Sequence, residues 1–203
     1  MKNIAALLLA AGSSRRFGTH DKLCALVNGK PIIAHAASKI TSQLFSDRIA
    51  VLNVNHSRLQ ALLNNAGFKT AINPNAKNGM GSSLAVGIRV IAKNRNNKSD
   101  AICVFLGDMP AIRAETIETM VKATDNRDGP YILVPCFKKQ RGHPVIFTHH
   151  FFRDLSSLSG DEGGRNIMKK QDRFISTIEV DDPGILFDID LTGDLEKYNS
   201  NKA

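Results

Sequence analysis

The sequence predicts an α/β chain built on a mostly parallel sheet with helices on both faces. Two observations carry this. Apolar runs alternate with helix-period segments over most of the chain, and the runs lack a polar face, as expected of strands buried on both sides. "NIAALLLA" (3–10), "RIAVLNV" (48–54), "FKTAIN" (68–73), "AICVFL" (101–106) and "YILVPC" (131–136) read as strands, and the segments after Pro31, His56, Met80 and Ala114 as helices. Right-handed helical crossovers join such strands, and ligands bind at their carboxyl ends. Further on, "HPVIF" (143–147) and "FISTIEV" (174–180) read as strands, with helices from about Thr148, after Gly164 and near Thr192. This later region reads as an insertion on the sheet. "KNRNNKSD" (93–100) is a polar surface loop, and the tail "YNSNKA" is expected to fray.

Composition narrows the function. The 203 residues suit one domain, 1–203, large enough to bury a sizeable core. Hydrophobic residues make up 42%, yet no apolar stretch approaches the roughly 18 residues that span a bilayer, so no membrane partner is expected. Residues 4–11 are too short for a secretory leader, which points to a cytoplasmic protein. Cys24, Cys103 and Cys136 show no CxxC spacing and read as reduced core thiols. The formal charge of +8 calls for an anionic partner. Aromatic residues at 6%, with no RNP-like run, argue against nucleic acid.

"LLLAAGSSRRFGTHDKL" (7–23) carries the first chemical signal: a buried strand that runs into a small, basic loop. Gly12 and Gly18 allow close backbone approach, and Arg15, Arg16 and Lys22 add charge. It is no Walker loop, because five residues separate Gly12 from Gly18 and Thr19 follows. It is no dinucleotide fingerprint either, because the second strand closes with Asn53, Val54 and Asn55 where an acid is required. A phosphate cradle that relies on side-chain charge remains, beside the plainer reading of a solvated loop.

The second signal is "VFLGDMPAI" (104–112), which sets Asp108 at the carboxyl edge of the sheet. An isolated carboxylate there suits Mg²⁺, which takes one or two carboxylates together with water and phosphate oxygens. A turn-forming Asp before Pro110 is the alternative. In "FDIDLTGDL" (187–195), Asp188 and Asp190 share one face if the chain is extended, while Asp194 suits a helix start. No HExxH pair occurs, and His35, His56, His149 and His150 read as ordinary helix residues.

Taken together, "LAAGSSRRFG", "DKL", "NPN", "GMGSSL", "LGDMP", "RGHPV", "GDEGGR" and "DID" followed by "DL" resemble the nucleotidyltransferases of the molybdenum cofactor, in order over nearly the whole chain. The cytidylyltransferase branch is the more similar. Ala11 stands where the guanylyl branch has Gly in "LAGG", and "GMGSSL" replaces a "GPLAG"-like segment. The resemblance implies a Rossmann-like three-layer fold and Mg²⁺-dependent transfer of CMP from CTP to the terminal phosphate of molybdopterin or its molybdenum form. Pyrophosphate leaves, and a molybdoenzyme or its chaperone receives the product. Guanylyl or other nucleotidyl transfer to another small phosphate, or nucleotide binding without turnover, are the alternatives.

The resemblance also implies roles. Leu9, Ala10, Ala11 and Gly12 would meet the nucleotide, and Arg16 and Lys22 the triphosphate. Asp108 and Asp190 would hold the metal, with Asp188 beside them. Asn73, Gly81, Ser82 and Ser83 would border base and ribose, unless the serines cap the following helix. Arg141, His143 and Arg165 would face the acceptor, unless their loops are merely solvated.

Overall fold

The computed structural model describes residues 2–12, 21–94, 98–191, 193–195 and 198. Arg15, Arg16, Gly18 and Thr192 lie outside the described residues. The chain opens with β1 (Ile4–Ala10), a 3₁₀ turn (Lys22–Cys24), a small hairpin of β2 (Leu26–Val27) and β3 (Lys30–Pro31), and α1 (Ile32–Ala37). β4 (Asp47–Asn53), α2 (Ser57–Asn65), β5 (Lys69–Asn73), α3 (Met80–Lys93), β6 (Ala101–Leu106) and α4 (Ala114–Lys122) follow. β7 (Ile132–Phe137), β8 (Gln140–Arg141), β9 (Val145–Thr148), α5 (Phe152–Ser156), α6 (Arg165–Lys170) and β10 (Ile175–Glu179) complete the succession.

The main sheet runs β10-β7-β9-β6-β1-β4-β5, with β8 paired to β7. β5, β4, β1 and β6 are parallel neighbours, and the chain crosses from one side of β1 to the other between β5 and β6. All seven residues of β1 are buried because the strand faces two cores. Ile4, Ala6, Leu8 and Ala10 pack with Ile33, Leu59, Leu63, Ile117 and Met120 from α1, α2 and α4. Ala5, Leu7 and Leu9 pack with Leu84, Ile88 and Ile91 of α3 and with Leu155 and Ile167 of α5 and α6. Helices thus cover both faces, giving the three-layer, mostly parallel architecture. Gly87 lets α3 lie close on β1, since a Cβ there would collide with the Leu7 side chain. Among the described residues no helix is long and apolar enough to cross a membrane.

The later region departs from the expected insertion. β9 runs antiparallel between β6 and β7, and β10 is parallel to β7, so this region extends the sheet. The physical reason is nonlocal: β7 lies one strand away from β6, and the gap is filled by the chain returning along it. The return is made at Lys138 and Lys139, whose φ values of 48° and 67° give the twist that a two-residue hairpin needs. β8 and β9 are then separated by a break at 142–144, where the Gly142 amide still donates to the Pro135 carbonyl at 2.9 Å. This break places His143 beside the carboxyl end of β6.

Leu7 has no exposed surface and touches the close-set α3, so little relaxation is available to a cavity there. Leu7→Ala is expected to cost about 2–5 kcal/mol of stability. In urea unfolding the midpoint should fall while the slope stays unchanged.

Candidate active site

The site forms where β1 and β6 end side by side, the point at which the winding of the sheet reverses. Gly107 keeps the two ends together. Its amide donates to the Leu9 carbonyl at 2.9 Å, and a Cβ would stand 3.2 Å from that oxygen. Asp108 follows directly. A third segment reaches the same place from the C-terminal region, where Asp182 anchors it by accepting from the Arg113 and Gly184 amides and from the Thr116 hydroxyl. Ile189 is fully buried in a small core with Val27, Ile32 and Tyr198, and its amide donates to the Asp108 carbonyl at 3.0 Å. Asp188 and Asp190 flank this buried residue, and carboxylate oxygens of Asp108, Asp188 and Asp190 lie within 4.8 Å of one another. Asp194 accepts from the amides of Asp190 and Leu191 at 3.1 and 2.9 Å, a helix-start role.

Lys22 closes the cluster. Asp21 accepts from the Leu23 amide at 3.0 Å and so starts the 3₁₀ turn that carries it. Lys22 is 9% exposed, and its Nζ donates to Asp108 and Asp190 at 2.8 Å each. Burial opposes its charge, but the two carboxylates outweigh that and raise its pKa. Burial also raises Asp188, reinforced by the Asp108 and Asp190 charges. Three carboxylates around one ammonium make an all-oxygen, electronegative donor set, which fits a hard divalent cation.

Of two adjoining cavities, the first opens on this cluster. The first, about 540 Å³, is lined by Leu9, Ala10, Ala11, Gly12, Lys22, Ser83 and Asp108, and also by Lys77, Met80 and Asp161. Asn73, Gly81 and Ser82 serve the start of α3 and do not line it. Asn73 is 1% exposed, donates to the Ser82 and Ser83 hydroxyls at 2.9 and 3.0 Å, and accepts from the Asn75 amide. The serines form no helix cap; the Ser82 hydroxyl bonds back to the Gly79 carbonyl at 2.8 Å. The Gly81 amide donates to the Gly160 carbonyl at 2.8 Å, and the Gly160 amide to the Asn78 carbonyl at 2.9 Å. A Cβ on Gly81 would stand 2.8 Å from the Ser159 oxygen, so only glycine allows this backbone contact.

The second cavity, about 410 Å³, contains Arg141, His143 and Arg165 with Lys169, against an apolar wall that includes Val104, Val134 and Phe147. Leu9, Met80, Leu106 and Asp161 border both cavities. His143 Nδ1 is buried and has no hydrogen-bond partner among the described residues. Burial lowers the ring's pKa to about 4, against the opposing pull of the Val104 carbonyl and Asp108. Arg141 meets Asp172 at 3.6 Å in an exposed pair of small energetic weight. Met80 and Asp161 belong to the segments "GMGSSL" and "GDEGGR" that the resemblance points to, whereas Lys77, two residues beyond "NPN", carries no signal in the sequence.

A model of the MobA-like NTP transferase domain matches residues 6–174. The chain is 25% identical over 198 residues, 92% of each chain, to nicotine blue oxidoreductase of Paenarthrobacter nicotinovorans. It is 25% identical over 199 residues, 97% of this chain and 96% of the other, to the molybdenum cofactor guanylyltransferase of Shewanella putrefaciens. The crystal structure of Rv0371c from Mycobacterium tuberculosis superposes with a TM-score of 0.83 at 22% identity, covering 98% of both chains. Its manganese complex superposes with a TM-score of 0.77 at 19% identity, covering 99% of this chain and all of the other (100%).

The depressed His143 pKa has a sign that can be checked. A folded-state value of about 4 beneath an ordinary 6.5 means that its contribution to stability is present above pH 6.5 and lost as pH falls toward 4. The loss is roughly 3 kcal/mol at most. His143→Gln should flatten the stability profile across that window. Urea unfolding at pH 7, 5.5 and 4 measures it, and identical pH slopes for the two proteins would contradict the assignment.

Proposed function

Because the chain belongs to the MobA-like NTP transferase domain family, we propose that this nucleotidyltransferase moves CMP from CTP to the terminal phosphate of molybdopterin or its molybdenum form. The reading rests on one observation above all: two adjoining cavities that share Leu9, Met80, Leu106 and Asp161, the first of them lined by Lys22 and Asp108 of the ammonium–carboxylate cluster at the end of β1 and β6. The first suits a nucleoside triphosphate. Its backbone edge at Ala10–Gly12 would meet the base, while Lys22 and Lys77, with Arg16 from outside the described residues, would neutralise phosphates. The second suits a phosphorylated flat ring, with Val104, Val134 and Phe147 for the ring and Arg141, Arg165 and Lys169 for the charge.

In this mechanism an acceptor phosphate oxygen attacks the α-phosphorus and the bond to the β-phosphate oxygen breaks, so that pyrophosphate leaves with its electron pair. A phosphate monoester with a second pKa near 6 is already largely ionised at neutral pH, so no strong general base is needed. The protein's task is placement and charge neutralisation. Asp108 and Asp190, with Asp188 beside them, would hold Mg²⁺, which when bound supplies positive charge to the phosphate oxygens. Lys22 fixes both carboxylates in advance and presents an ammonium to the triphosphate. His143, neutral at physiological pH, can pair with a polar edge of the acceptor ring without adding charge.

Two outcomes test this. Asp108→Asn and Asp190→Asn should each lower turnover by a factor of about 10² or more while the protein stays folded, because each removes half of the metal-facing pair. Pyrophosphate release at saturating Mg²⁺ is the measurement, and near wild-type rates for both would overturn the metal assignment. Wild type should also prefer CTP to GTP in kcat/KM. Ala11, 5% exposed at the cavity edge, brings a Cβ that crowds a purine. Ala11→Gly combined with a guanylyl-type segment at 79–84 should shift the preference toward GTP. Equal use of both nucleotides by wild type would set aside the cytidylyl assignment and leave nucleotidyl transfer standing. Nucleotide binding without pyrophosphate release, across phosphorylated pterin and small phosphate acceptors, would indicate a binding protein instead.

A further inference from the structure

His56 reads in the sequence as an ordinary residue at a helix start, yet its ring lies largely away from solvent between Ala10, where β1 ends, and Asp21. Nδ1 is 3.3 Å from the Ala10 carbonyl, where β1 ends, and Nε2 is 3.2 Å from Asp21 Oδ2. The His56 side chain is 11% exposed and that of Asp21 23%. Asn53 Nδ2 stands 3.0 Å from the same Nε2, with its own amide orientation set by the Asn55 amide, which donates to Asn53 Oδ1 at 2.9 Å. Nε2 therefore faces both Asp21 Oδ2 and the Asn53 amide. Asp21 in turn receives the Leu23 amide on its other oxygen and begins the turn that carries Lys22. One imidazole connects the end of β1 to the turn that aims the site's central ammonium.

We propose that His56 is a positioning residue: through Asp21 it sets the placement of Lys22 against Asp108 and Asp190, and so governs how the nucleotide's phosphates are received. It touches neither cavity, and none of its atoms takes part in the reaction. The inference rests on the nucleotidyl-transfer reading for its functional consequence, and on the His56, Asp21 and Leu23 contacts alone for its structural one.

Side-chain chemistry separates the two contacts of the ring. Asn at 56 offers an amide donor near the place of Nδ1 and keeps only the Ala10 contact, whereas Gln reaches the place of Nε2 and keeps the Asp21 contact. Kinetics with CTP and GTP are measured for wild type, His56→Gln, His56→Asn, Asp21→Asn and the His56→Asn/Asp21→Asn double variant, with thermal unfolding of each. His56→Gln should stay within about threefold of wild type. His56→Asn should lose about tenfold or more in kcat/KM for the nucleotide, as expected when a hydrogen bond to a charged group is removed, with the acceptor KM unchanged. The double variant should be no worse than the poorer single one. A Gln variant as impaired as the Asn variant, an acceptor KM that moves in step, or additive losses in the double variant would overturn the proposal. If wild type releases no pyrophosphate with either nucleotide, the transfer reading fails on its own. His56 is then judged by the Leu23 amide resonance in ¹H–¹⁵N spectra. A Leu23 signal moved in the Asn variant but not in the Gln variant supports the link, and a signal unmoved in both refutes it.

Discussion

A single ammonium holds the site together. Lys22 bonds Asp108 and Asp190, residues 86 and 168 positions away in the chain, and sits nearly out of solvent between them. Without it, Asp108, Asp188 and Asp190 would crowd like charges into a small space at the sheet edge, and the segment through Ile189 would be pushed off the end of β6. Removing the ammonium leaves the carboxylates uncompensated, at a cost reduced by the solvent that reaches Asp108 and Asp190. The fold around it serves this contact. Gly107 seats Asp108 against β1, Asp182 ties the C-terminal segment to the start of α4, and Ile189 plugs a small core so that its acidic neighbours stay beside Asp108.

Much of the scaffold could be read from local pattern. β1 has no polar position because alternate residues enter two different cores, and a both-sided apolar run records that directly. "AICVFL" matches β6 residue for residue. Leu9 and Ala10 end β1, Ala11 and Gly12 follow it, and Asp108 follows β6, strands whose ends are easy to locate; together with Lys22 these residues line one cavity. Arg141, His143 and Arg165 share the second, although 24 residues and several elements separate the first from the last.

What escaped local reading depends on long-range pairing. "HPVIF" shows a strand but not its direction, and only the open place between β6 and β7 makes β9 antiparallel there. Asn73 and Ser82 have the side chains expected at a nucleotide edge, but tertiary contact turns them inward to brace α3. His56 shows no spacing signal, because its partners, Ala10 and Asp21, lie far from it in the chain. Asp161 belongs to a recognised segment, but its place at the border of both cavities depends on the chain folding back onto the start of α3.

That return contact has an evolutionary reach. Backbone hydrogen bonds between Asn78, Gly81 and Gly160, closed over a glycine that admits no side chain, tie the start of α3 at the first cavity to the 159–161 segment that borders both cavities. The shapes of the two cavities are therefore coupled in this architecture. Any lineage that remodels residues 78–81 must also accommodate 159–161. Exchanges of segments between relatives should succeed when the two stretches travel as a pair, much as complementary halves of a clasp are recut together.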